Sequence, residues 1–292
     1  MNLFKNLFQK LCFLLLPLCL LTGCDFNNQN MDNINIYTTT YPIHYLINEL
    51  YEEHAKIYSI YPTSINLDDY KLSDRKIEEY SKSDLFIFNS LDKDRDYAVK
   101  MINLNSELKV IDVATGMQYE HDIEELWLNP NNYLMMAENI KNGLIEYINN
   151  PVLVDEIEKK FTELEYNISK LDADLTEAIM NGNYNTIVVD NDMFKFLEKH
   201  GLNVISLEEN NNLSSNQIEE VKTLIKQEKI KYIYSNSTET NQTAKSLIDE
   251  YKLELIPLNT MHSIDGGITN SNENYLTIMT NNIKQLKKEL YK

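Results

Sequence analysis

From Ile34 onward the chain alternates two hydrophobic rhythms. Short runs of β-branched and aromatic residues fall at 34–39, 56–61, 84–89 and 108–113, and again at 186–190, 203–207, 230–235 and 253–258. Bounded by polar and turn-forming residues, they predict strands. Between them, apolar residues recur at spacings of three and four, which predicts helices. One helix starts at Pro42, where a missing N–H costs nothing, and gathers Ile43, Leu46, Ile47 and Leu50 on one face. Another opens with Ser214 followed by Gln217, a capping-box pattern. Strand and helix in steady alternation predict an α/β fold with mostly parallel sheets.

The most regular segment lies midway. Ile157, Phe161, Leu164, Ile168, Leu171, Leu175 and Ile179 mark a single helical face, with Asn150-Pro151 before it and Asn181-Gly182 after it. At 1.5 Å per residue this helix spans on the order of 45 Å. Because α/β units flank it on both sides, a backbone packed across two lobes fits better than a free coiled coil. The expected architecture is therefore two lobes, each a mostly parallel four-stranded sheet with flanking helices, joined by one long backbone helix. The expected boundaries are 33–149 for the first lobe, 150–182 for the connecting helix and 183–292 for the second lobe.

Residues 1–23 follow a different logic. Lys5 and Lys10 precede the apolar run Leu11–Leu21, which is short for a membrane span, and Leu21-Thr22-Gly23-Cys24 ends it with small residues before a cysteine. This is the pattern of a cleaved bacterial lipoprotein signal. Cys24 is then the lipid attachment site, residues 24–32 are a polar tether, and the protein works on the outer face of the cell membrane. All three cysteines (Cys12, Cys19, Cys24) lie in the signal or at the anchor, so the exported part has neither a disulfide framework nor a thiolate metal site. The signal holds two lysines and no acid, so its removal takes the formal charge from −18 to −20. Such acidity argues against nucleic acid as a partner and suits a cationic ligand, although it also serves solubility.

Several stretches resemble the solute-binding lipoproteins of zinc and manganese ABC transporters. They are Thr39-Thr40-Tyr41-Pro42 after the first strand, Ser83–Asn89 at the third, and Trp127-Leu128-Asn129-Pro130 followed by Met136–Ile140. Phe194–Leu197 with Gly201-Leu202, and Tyr275–Met279 with Asn282-Ile283, continue the series. The resemblance covers nearly the whole exported chain. It implies two α/β lobes joined by a long helix, a divalent metal as transported ligand, an ABC permease as partner, a monomeric receptor and no enzymatic activity.

The resemblance also implies four metal ligands, two from each lobe, and there the sequence departs from the usual histidines. Asp68 stands at the first position, Glu125 two residues before Trp127 at the second, and Asn191 three residues before Phe194 at the third. His262 follows the last strand at the fourth, with Asn259 as an alternative there and Asp190 and Asp192 flanking the third. An oxygen-rich set of Asp68, Glu125, Asn191 and His262 is harder than the usual one and suits manganese better than zinc. Of the other histidines, His44 lies near the start of the first helix, whereas His54, His121 and His200 read as surface or turn residues; His121, within an acidic run, is a loose metal trap at most.

Two other functional classes stand beside this reading, an enzyme and an interaction lipoprotein. No Gly-x-Ser-x-Gly elbow, His-Glu-x-x-His pair or phosphate-binding glycine loop occurs, and seven glycines leave little material for phosphate cradles. The alternative to a working metal receptor is a drifted relative that no longer binds metal and acts as a surface adhesin or interaction lipoprotein.

Overall fold

Period-two alternation sorts each strand between two hydrophobic faces. In the computed structural model, which describes residues 31–62, 65, 67, 69–210, 213–262 and 273–292, the strand Leu85–Phe88 turns Leu85 and Ile87 to a central core and Phe86 and Phe88 to an outer one. The first sheet holds β1 (Ile34–Thr38), β2 (Ala55–Ser59), β3 (Leu85–Phe88) and β4 (Lys109–Asp112), all parallel, in the order β2-β1-β3-β4. The second holds β5 (Thr186–Val189), β6 (Asn203–Ser206), β7 (Tyr232–Ser235) and β8 (Glu254–Pro257), again parallel, in the order β6-β5-β7-β8. The fold class expected from the sequence is the one observed. Each order reverses direction between its first and third strands, and the crevice at such a switch point is where open α/β sheets bind ligands.

Helices α1 (Tyr41–Tyr51), α2 (Asp74–Tyr80), α3 (Asp94–Leu104), α4 (Glu125–Leu128) and α5 (Pro130–Tyr147) belong to the first half. The second half holds a 3₁₀ helix (Asp192–His200), α7 (Ser215–Lys226), α8 (Gln242–Tyr251) and α9 (Tyr275–Leu290). Between them runs α6 (Pro151–Met180), on which Asn150 accepts a hydrogen bond from the Val152 N–H as N-cap. Its predicted face is buried throughout, from Ile157 to Ile179. At the start of α7, Ser214 Oγ accepts from the Gln217 N–H (3.2 Å), but the Gln217 amide turns away to the Ser206 carbonyl (2.6 Å). Only half of the expected capping box is therefore made.

One continuous core joins the halves. It collects Ile36, Ile87 and Ile111 from the first sheet, Ile187, Val189 and Ile256 from the second, and the buried faces of α5, α6 and α9. The outer face of each sheet carries its own smaller cluster. Helix α5 lies so close to β4 that a Cβ added at Gly143 would meet Ile111 Cγ1 at 2.7 Å, which explains a glycine inside a helix. Among the described residues no helix is long and apolar enough to cross a membrane; the expected signal and Cys24 lie outside them.

Candidate metal centre

Helix α4, a short helix of the first half, is clasped by the second. Trp127 Nε1 donates to the Thr260 carbonyl (2.8 Å), and the Tyr275 hydroxyl donates to the Trp127 carbonyl (2.6 Å). Tyr275 in turn stacks on Tyr133 with ring centroids 3.8 Å apart. These contacts fix where the acidic residues just before Trp127 point.

Glu125 is 1 % exposed, and its Oε1 accepts from Lys199 Nζ at 2.6 Å while its Oε2 accepts from the Glu120 N–H at 3.0 Å. Burial pushes its carboxyl up, but the Lys199 and backbone hydrogen bonds outweigh this and hold it below the usual range. The glutamate at the expected second position is thus already paired with a cation of the second half. Its neighbour Glu124, 4 % exposed, faces His262, with Oε1 2.5 Å from Nδ1. Burial raises the Glu124 carboxyl, and hydrogen bonds from His262 and Asp122 more than compensate, keeping it ionised. Asp122, half-buried beside Glu124 and near Glu208, is pushed up to about 7 by burial and by the Glu124 carboxylate. The two neighbouring carboxyls oppose each other's ionisation.

The third expected ligand is occupied as structure. Asn191 caps the 3₁₀ helix, its Oδ1 accepting from the Met193 N–H (3.1 Å) and its Nδ2 donating to Asp190 Oδ1 (2.7 Å). Asp190, 6 % exposed, also accepts from Thr240 (2.7 Å), so both its oxygens are engaged. Asp192 pairs with Lys195 (2.9 Å). Asn259, the alternative fourth ligand, forms a turn with the Met261 N–H and a paired hydrogen bond with Asn282. Asp68 lies outside the described residues.

Among the three expected ligands that are described, His262 is the one set against a carboxylate across the two halves, and its partner is Glu124 rather than Glu125. The signal for Glu124 was present as the acidic run Asp122–Glu125, but spacing from Trp127 singles out only one of two adjacent glutamates. Among the other histidines, His44 is half-buried, with Nδ1 3.2 Å from Thr38 Oγ1, and burial lowers its pKa. His200 is not a surface residue: its side chain is 7 % exposed and packs against α6, with Nδ1 3.3 Å from Thr176 Oγ1. The 3₁₀ helix carries it inward before turning out at Gly201, whose φ is 97°.

Glu124 Oε1 and His262 Nδ1, 2.5 Å apart, are in direct contact. To take up a metal, the two groups must part to about 3.3 Å, the edge of a tetrahedron with bonds of about 2.0 Å.

Comparison with known proteins assigns the fold to a family. The model of a family described as "ZnuA: Zinc-uptake complex component A periplasmic" matches residues 36–289. The zinc-binding lipoprotein AdcA of Streptococcus pneumoniae strain R6 is 23% identical over 309 residues, covering 96% of this chain and 60% of AdcA, so the chain spans about three fifths of that relative. The high-affinity zinc uptake system protein ZnuA of Bacillus subtilis is 21% identical over 305 residues, covering 96% of this chain and 95% of its own length. Among solved structures, the Zn(II)-bound ZnuA-like domain of S. pneumoniae AdcA aligns with a TM-score of 0.73 at 20% identity, covering 89% of this chain and all of that domain. The metal-dependent lipoprotein YcdH of B. subtilis aligns at 0.75 with 19% identity, covering 88% and 99%. With the family model matched from β1 to α9, the chain belongs to the zinc-uptake complex component A family of solute-binding proteins.

Proposed function

We propose that this chain is the extracytoplasmic receptor of a metal ABC transporter, anchored to the membrane through a lipid on Cys24. It captures a divalent ion in the crevice between the two halves and delivers it to the permease. Family membership supports this reading, and the observation that carries it to particular residues is the buried Glu124 carboxylate held against His262 across the halves. Glu124 and His262 supply the first two ligands and Asp68, which follows β2 in the sequence, a third. Glu125 joins only if Lys199 leaves it, and Asn191 stays a helix cap.

Zinc is the first expectation, because the imidazole suits it and the relatives named above are zinc-binding. The carboxylates of Glu124 and Asp68 favour manganese, which is the second expectation. Thermal melts of the chelator-stripped full chain with zinc, manganese or calcium separate them. At a hundredfold excess over Kd the preferred ion adds about 2.7 kcal/mol. His262→Ala removes the crevice's share of that gain, whereas His200→Ala lowers stability but keeps it. If no ion moves the melt, the metal-receptor reading is wrong and the interaction-lipoprotein alternative replaces it.

A further inference from the structure

A second group of ligating side chains sits at the opposite end of the first sheet, where β2 begins. Among the described residues, Glu53, His54 and Glu156 are the one group of histidines, cysteines and acids whose ligand atoms all lie within 4.8 Å of one another. Glu53 and His54 end the turn from α1 into β2, and Glu156 comes from the second turn of α6. His54 Nδ1 is 3.2 Å from Asp32 Oδ1 on one side, and His54 Nε2 is 3.2 Å from Glu156 Oε2 on the other. Nε2 is screened from solvent and makes no hydrogen bond of acceptable geometry.

We propose that these residues form a second divalent-cation site of the zinc type, independent of the crevice. His54 Nε2 and one oxygen each from Glu156 and Glu53 are the ligands, and Asp32 is a positioning residue. The imidazole arrangement supports this. A carboxylate that accepts the Nδ1 proton fixes the tautomer and turns the Nε2 lone pair outward, as is usual for metal-bound histidine. The 3.2 Å between Nε2 and Glu156 Oε2 is close to the tetrahedral edge of about 3.3 Å, so these two ligands need little movement. An imidazole donor selects against calcium and magnesium, which take oxygen ligands.

Lys160 holds the place when no ion is bound, with Nζ 3.2 Å from Glu53 Oε1 and 3.8 Å from Glu156 Oε1. An arriving ion must displace this ammonium, so the site is weaker than its ligands alone would make it. Because the Met31 carbonyl accepts from the Tyr51 hydroxyl beside it, an ion here fastens the first described residues to α1 and α6.

The test titrates zinc alone into the chelator-stripped full chain carrying His262→Ala, with stoichiometry read by native mass spectrometry. One zinc per chain is expected. Adding His54→Ala removes it, and adding Lys160→Ala in place of His54→Ala tightens it about tenfold by removing the competing charge. The Lys160 variant guards against misfolding as an explanation, because a damaged fold does not gain affinity. No zinc on the His262→Ala chain, or equal affinity with and without Lys160, identifies a plain ion-pair network and overturns the proposal. His54→Ala alone keeps the two sites distinguishable: a single ion that ignores it leaves the crevice standing and removes this site.

Discussion

Asp94 shows how far a single residue can depart from its expected chemistry. It opens α3 fully buried, accepts a hydrogen bond from the Tyr61 hydroxyl, and is pushed up to about 7 by burial, with the Asp92 charge adding to the effect. Its folded pKa lies above the unfolded value of 3.8, so the native state binds the proton more tightly, and stability falls as pH rises from about 4 through 7. Asp94→Asn keeps an acceptor for Tyr61 and removes the charge. The variant should therefore be more stable than the parent at pH 8, by on the order of 2–4 kcal/mol, with the gap closing toward pH 4. Urea midpoints across that range measure it; a gap that does not change with pH would mean that the ionised carboxyl carries no penalty. The crevice teaches a related lesson about legibility. The family resemblance points to Glu125, Asn191 and His262, but whether a side chain is available depends on residues distant in sequence. Lys199 takes Glu125 from 74 residues away, and His262 selects Glu124 across a still longer separation.

At the scale of elements, the strands and long helices were readable because their cores are built on a fixed period. Helix α6 runs over Pro151–Met180, the segment bracketed by Asn150-Pro151 and Asn181-Gly182, and β5 begins at Thr186 as its β-branched run requires. What escaped prediction has no period to read: α4, four residues long, and the 3₁₀ helix that buries His200. Helix α4 is defined by tertiary contacts, and those contacts make it a clasp. Lys199→Ala should expose its weight by leaving the Glu125 carboxylate buried without a cation. Removing one partner of a fully buried pair costs about 3–5 kcal/mol. Because the Lys199 side chain is 50% exposed and solvent screens it, the expected loss is smaller, on the order of 1–2 kcal/mol. Glu125→Gln in the same chain should recover part of the loss. A double-mutant cycle by denaturant unfolding reads this coupling, and additive losses would show that the two side chains do not support each other.

At the scale of the whole molecule, the two sheets are held as one body. The central core passes without a break from Ile36 and Ile111 through α5, α6 and α9 to Val189 and Ile256, and α4 is bonded to both halves. A receptor built this way cannot open like a hinge on a flexible linker, since any large rotation would expose the buried face of α6. Closure on a metal at the proposed site of Glu124 and His262 should therefore be a local rearrangement, and solution scattering profiles of the chelated and metal-loaded chain should nearly superimpose. The same continuity predicts that both halves unfold together. Ile168→Ala, at the buried face of α6, should cost about 2–5 kcal/mol and move a single calorimetric transition rather than split it. Two separated transitions, or a large change in the radius of gyration on loading, would mean that the halves move independently. The core through α6 would then be too weak to couple them, and metal capture would proceed by domain closure.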